Sequence, residues 1–85
     1  MITFTHIIKD PMGLHARPAA ALVKACAGYT STVTVSCGAA KADCRRLMAV
    51  MRLGARNGVE LTFTVEGPDE EAAAAGLQAF LADNL

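Results

Sequence analysis

Stretches that change character at every second residue limit the possible folds of this chain more sharply than any other feature. Ile2, Phe4, His6 and Ile8 alternate with Thr3, Thr5 and Ile7; Val33, Val35 and Cys37 alternate with Thr32, Thr34 and Ser36; Leu61, Phe63 and Val65 alternate with Glu60, Thr62, Thr64 and Glu66. A period of two marks a strand with one covered and one wet face. The spacing therefore predicts strands over residues 2–8, 33–37 and 60–66. Gly38-Ala39 puts a glycine at the first central position of a type II′ turn, so a hairpin should return as a fourth strand over residues 40–44. A sheet that is wet on one side needs helices on the other.

The segments between the strands supply them. From Ala16 to Ala27 the residues are good helix formers apart from Pro18, and Ala19, Leu22, Val23 and Cys26 recur at three- and four-residue spacing, with Gly28 closing the run. Pro18 has no N–H to donate and is tolerated only in a first turn, which places the start at His15 or Ala16. The last helix follows Gly67-Pro68 and contains the alanine run 72–75. Asp69, Glu70 and Glu71 suit the positive end of its dipole, and Ala73, Leu77, Phe80 and Leu81 form its inner stripe. Gly76 inside that helix marks close packing. In the short segment Arg46 to Leu53, Val50 and Leu53 point one way while Leu47, Met48 and Met51 point another. One set can pack on the sheet, and the other is left as an apolar surface for a partner.

At 85 residues the chain is long enough for one core only, so residues 1–85 are expected to form a single domain. With 53% hydrophobic and 19% charged residues it is too apolar to stay disordered. Eight Lys plus Arg balance eight Asp plus Glu, so no global field favours a nucleic acid, and the only local basic cluster is Arg45, Arg46, Arg52 and Arg56. No apolar run approaches a membrane span, and the first residues lack the pattern of a signal peptide, which places the chain in the cytoplasm. Cys26, Cys37 and Cys44 have neither the spacing nor the histidine neighbours of a zinc site and read as small apolar residues. No metal or cofactor is expected.

The chemistry concentrates in Gly13-Leu14-His15-Ala16-Arg17-Pro18-Ala19. A helix start offers unpaired N–H groups and a partial positive charge, which together attract an anion, and Arg17 adds a guanidinium whose fork matches phosphate oxygens. A histidine at a helix start is more often a plain polar cap. Beside a phosphate cradle, however, its imidazole can accept a phosphoryl group. His6 shares the parity of the covered face and reads as structural, Lys9 and Asp10 read as loop charges, and Ser31 and Ser36 have no base near them in sequence.

The segment GLHARPAA, together with Leu47-Met48 and Met51 in a later short helix, resembles the histidine phosphocarrier (HPr) family of the phosphoenolpyruvate-dependent sugar phosphotransferase system, and the resemblance runs over essentially the whole chain. It implies an α+β fold of order βαββαβα, an open-faced β-sandwich with a four-stranded antiparallel sheet and three helices on one face. The periodicities reach the same order by themselves. It also implies a monomeric carrier, not an enzyme, in which His15 accepts a phosphoryl group on Nδ1 from phosphorylated Enzyme I and passes it to an enzyme IIA domain. The backbone N–H groups of Ala16 and Arg17 would hold phosphoryl oxygens, the Arg17 side chain would steady the moving charge, and Leu47, Met48 and Met51 would form the apolar part of the docking face.

The chain departs from the family pattern at three places. Arg46 stands where many relatives carry a regulatory serine, so control by phosphorylation there is not expected. Met12 replaces a small polar residue, and Gly38-Ala39 replaces an Asn-Gly turn. Two rival readings are a regulatory module that docks without relaying phosphate and an acylphosphatase-like hydrolase. The second lacks its glycine-rich phosphate loop followed by Phe-Arg.

Overall fold

A computed structural model describes residues 1–85 and has the expected order: β1 (Ile2–Ile7), α1 (Ala16–Ala27), β2 (Thr32–Cys37), β3 (Ala40–Asp43), α2 (Leu47–Met51), β4 (Glu60–Glu66) and α3 (Glu70–Asn84). The strands lie in the order β1-β4-β2-β3, and every neighbouring pair is antiparallel. At the hairpin between β2 and β3, Gly38 has φ +61° while Ala39 does not have positive φ, the sign pattern of a type II′ turn. α2 is shorter than the segment 46–53 suggested. Arg46 is extended at φ −110° and ψ 102°, and past Met51 the chain tightens, with Leu53 N donating to Val50 O at 3.2 Å and Gly54 N to Met51 O at 3.3 Å.

The register puts one class of side chain on each face. Phe4 pairs with Phe63, which pairs with Val35, which pairs with Ala42; Ile2, Val65 and Val33 form a second row. These residues face the helices, and the Phe4 and Phe63 rings stack with centroids 5.1 Å apart. On the other face Thr3, Thr64 and Thr34 line up, as do Thr5, Thr62 and Ser36. Pro18, Ala19, Leu22 and Cys26 of α1 and Ala73, Ala74, Leu77 and Leu81 of α3 are buried, each fully covered Leu contributing about 1.5–3 kcal/mol by area. Val23 and Phe80 are only half-buried at the rim of this core. α1 packs on α2 and α3, and no helix is long and apolar enough to cross a membrane.

Two cysteines are part of that packing. Cys26 and Cys44 are fully buried, and the hydrogen bond that the Cys44 thiol donates to Cys26, together with burial, pushes the Cys44 thiol up, away from reactivity. Gly76 marks a close approach, as its position in the sequence suggested, but the neighbour is a side chain: a Cβ there would run into Tyr29 Oη.

Asp69 departs from the dipole reading. It is the N-cap of α3, yet its carboxylate does not cap that helix; it reaches across to the start of β2, accepting Thr30 N and Ser31 N, each at 2.9 Å, and the Ser31 hydroxyl. Ser31 is fully buried, so this contact satisfies its polar atoms and ties α3 to the turn after α1. The Ser31 hydroxyl, followed by the Thr30 N–H, holds the Asp69 carboxyl at about 2, below its ordinary 3.8. A carboxyl lowered on folding stabilises the fold above its unfolded value, and that contribution is lost as pH falls through the folded one. Melting temperature should therefore drop between pH 3.8 and about 2, and Asp69→Asn should start lower but lose less over the same window in a pH series of thermal unfolding.

Gly13 fixes how the loop after β1 passes the α2–β4 connection. Its φ is +70°, and a Cβ there would meet Ala55 O at 2.7 Å and the Arg56 Cα at 2.8 Å. Gly13→Ala combines a disfavoured backbone with a clash against main chain, and urea unfolding should show a loss of about 1–3 kcal/mol.

Candidate functional site

The loop that delivers His15 is pinned from several sides. Asp10 N donates to Leu85 O at 3.1 Å, and the Asn57 side-chain amide donates to Lys9 O at 3.1 Å and Asp10 O at 3.3 Å. The Asp10 Oδ1 accepts Met12 N at 2.8 Å, and Asp10 O accepts Gly13 N at 2.9 Å, a turn of the kind that Asp and Gly favour. Leu14 is buried, and its N–H donates to Ala55 O at 3.0 Å. The chain then enters α1 with His15 as N-cap in extended conformation, φ −121° and ψ −175°.

The His15 side chain does not cap the helix, so the plain polar-cap role is not the one it plays here. Its carbonyl accepts Ala19 N at 2.9 Å, the first bond of the helix. The N–H groups of His15, Ala16 and Arg17 donate to no acceptor in the chain, and Pro18 has none. This leaves a row of unpaired amide donors at the positive end of a 12-residue helix. Pro18 is buried and occupies the first turn at no hydrogen-bonding cost.

The imidazole of His15 is one-third exposed, at 33%, and its Nε2 lies 3.8 Å from Asp10 Oδ2. Asp10, His15, exposed Arg17, Pro18, Ala21 and Asn84 line a shallow cavity of ≈ 250 Å³. Asp10 is more than the loop charge its sequence position suggested: its carboxylate bonds the turn with one oxygen and faces the histidine with the other. The run Asp10-Pro11-Met12-Gly13 already carried the turn signal. The approach to His15 depends on contacts with residues 57 and 85, which are remote in sequence.

Val50 of α2 and Leu53 just beyond it are buried, whereas Leu47 at 37% and Met48 at 63% are exposed. Met51 corrects the expectation for its set, since it is half-buried and packs on the core. Arg46 is exposed ahead of the helix, and Arg45 is committed to the fold through its guanidinium, which donates to Tyr29 O and Ser31 O. His6 lies on the covered side of β1 with its Nε2 buried and unpartnered. Ser31, read as having no base near it, is held by Asp69 from 38 residues away.

The chain is similar to known proteins along nearly its whole length. A family model described as "PTS HPr component phosphorylation site" matches residues 2–83. The phosphocarrier protein HPr of Mycoplasma capricolum is 31% identical over 83 residues, covering 98% of this chain and 93% of that protein. A crystal structure of HPr from Thermoanaerobacter tengcongensis superposes with a TM-score of 0.93 at 33% identity, covering 99% of this chain and 94% of the other. The phosphoryl donor subunit DhaM of the PEP-dependent dihydroxyacetone kinase of Providencia stuartii is 35% identical over 72 residues, which are 85% of this chain but 15% of that protein. With its open-faced sheet, its three helices on one side and these matches, the chain belongs to the HPr family of phosphocarrier proteins.

Proposed function

We propose that this protein carries a phosphoryl group on His15 Nδ1, taking it from phosphorylated Enzyme I and giving it to a histidine of an enzyme IIA domain in sugar uptake. The observation that carries this reading is the row of unpaired N–H groups at His15, Ala16 and Arg17, next to an imidazole that caps nothing. Transfer of a phosphoryl group asks little covalent chemistry of a protein and depends on positioning and charge. The amides of Ala16 and Arg17 hold phosphoryl oxygens without any rearrangement, and the exposed guanidinium of Arg17 meets the charge that spreads over the group between two imidazoles. The protein is a stoichiometric carrier in the cytoplasm: each turn returns it unchanged to its free form.

Exposed Leu47 and Met48, with the rim of Met51, form the apolar part of the docking face, and Arg46 extends it with a positive charge. An arginine cannot be converted to a phosphoserine, so a kinase has no target at this position and docking on an acidic partner stays constitutive. A second reading is favoured by the similarity to the DhaM phosphoryl donor subunit. In it the same His15 relay ends on a dihydroxyacetone kinase instead of a sugar transporter.

Incubation with phosphoenolpyruvate and Enzyme I, followed by intact mass before and after acid, tests the proposal. One acid-labile phosphoryl group is expected on the wild type and none on His15→Ala, with the fold kept within about 1 kcal/mol because a cap position is replaced. Arg17→Ala should lower the maximal rate more than it raises the apparent KM, and Lys should restore part of it. Equal phosphorylation of wild type and His15→Ala would refute the assignment.

A further inference from the structure

We propose that Asp10 is a positioning residue for His15: its carboxylate holds the proton on Nε2 and so keeps the Nδ1 lone pair free for the phosphoryl group. The inference rests on the reading of His15 as phosphoryl acceptor and adds a residue to it. Its basis is the pair Asp10 Oδ2 and His15 Nε2 at 3.8 Å, with side chains only 25% and 33% exposed. The distance exceeds a hydrogen bond, but a rotation of the partly exposed imidazole closes it while Oδ1 keeps its bond to Met12 N, and such contacts tighten when a charged group arrives.

The carboxylate is well placed for this role because it has little freedom. Oδ1 is engaged by Met12 N at 2.8 Å, and the Asp10 main chain is held by Leu85 O on one side and the Asn57 amide on the other. Oδ2 alone is left, and it faces the ring. An ionised carboxylate can only accept, so the ring atom opposite it must be a donor, and in a neutral imidazole with hydrogen on Nε2 the lone pair sits on Nδ1.

The transfer step balances without moving a proton. The Nδ1 lone pair forms a P–N bond as the P–N bond to the donor histidine breaks; the donor ring, protonated on its other nitrogen, takes back the electron pair of that bond and leaves as a neutral imidazole. The hydrogen on Nε2 stays where it is. The His15 ring then carries a positive charge beside its anionic phosphoryl group. Asp10 balances that charge from the Nε2 edge, while Arg17 and the free amides engage the phosphoryl oxygens. The same arrangement runs backwards when the group leaves.

Asp10→Asn separates this role from a purely structural one. The amide oxygen can still accept Met12 N and keep the turn, but the amide NH₂ now occupies the place of Oδ2 and donates toward Nε2. That favours hydrogen on Nδ1, the atom that has to attack. Long-range ¹H–¹⁵N correlation of the His15 ring at about pH 9, where an ordinary histidine is neutral, should show hydrogen on Nε2 in the wild type and a shift toward Nδ1 in Asp10→Asn. The maximal rate of phosphoryl acceptance should fall about tenfold or more with the KM for Enzyme I unchanged, the size expected when the partner that fixes a histidine's tautomer is lost. Amide spectra of the variant check that the fold is kept. An unchanged tautomer, an unchanged maximal rate, or a rise in KM alone would each overturn the proposal. If the wild type accepts no phosphoryl group on His15, the functional reading fails on its own, and the ring tautomers still decide whether Asp10 orients the ring.

Discussion

Burial of one face of the sheet under three helices is the constraint on which the rest of the molecule depends. Phe63 sits at its centre, fully covered, between Phe4 on one neighbouring strand and Val35 on the other. Because β4 lies between β1 and β2, the connection carried by α1 crosses over it, and α3, which follows β4 to the C-terminus, packs beside α1 on the same side of the sheet. The start of α1 is thereby fixed against the turns at one end of the sheet. A reactive side chain placed there inherits its position from the core instead of from its own loop.

The site is built by what the backbone leaves undone. The N–H groups at the start of α1 have no partner in the chain, and the residue that would otherwise fill one of them, the N-cap side chain, is a histidine that turns away. Loss of a conventional cap costs about 1 kcal/mol. Pro18 softens that cost by contributing one donor fewer, and burial of Pro18 and Ala19 anchors the turn against the core. The result is a donor cluster that is open to solvent yet anchored to the core through Pro18 and Ala19, a combination that suits the phosphoryl carriage proposed above. Charges of opposite sign share the cavity with the ring, Asp10 facing Nε2 and Arg17 lining the same space.

Much of this was legible in the sequence because it is set by local periodicity. Alternation of Thr with Val, Phe and Leu specifies strands and their wet face, Pro18 fixes the start of α1 to within a residue, and Gly38 marks the hairpin. His15 and Arg17 stand out through their place at that helix start, and the HPr resemblance points to the same residues. The features that were not legible depend on residues distant in the chain. Asp69 resembles an ordinary acidic residue at a helix start until β2 brings Ser31 to it from 38 positions away. Asp10 resembles a solvated loop charge until Asn57 and Leu85 hold its backbone beneath His15. Met51 shares a helical face with Met48, but five residues of helix are too few for angular position alone to set burial, and the packing against the core decides it.

The most direct test of the account is to follow the amide and ring nitrogens of the ¹⁵N-labelled protein before and after loading with phosphoenolpyruvate and Enzyme I. If the open donors at the start of α1 receive the phosphoryl group, the ring of His15 is modified at Nδ1. The amide protons of Ala16 and Arg17 then move downfield together as they gain an anionic acceptor, while amides within the sheet hold their positions. A phosphoryl group on Nε2, or a modified His15 with the Ala16 and Arg17 amides unmoved, would contradict it.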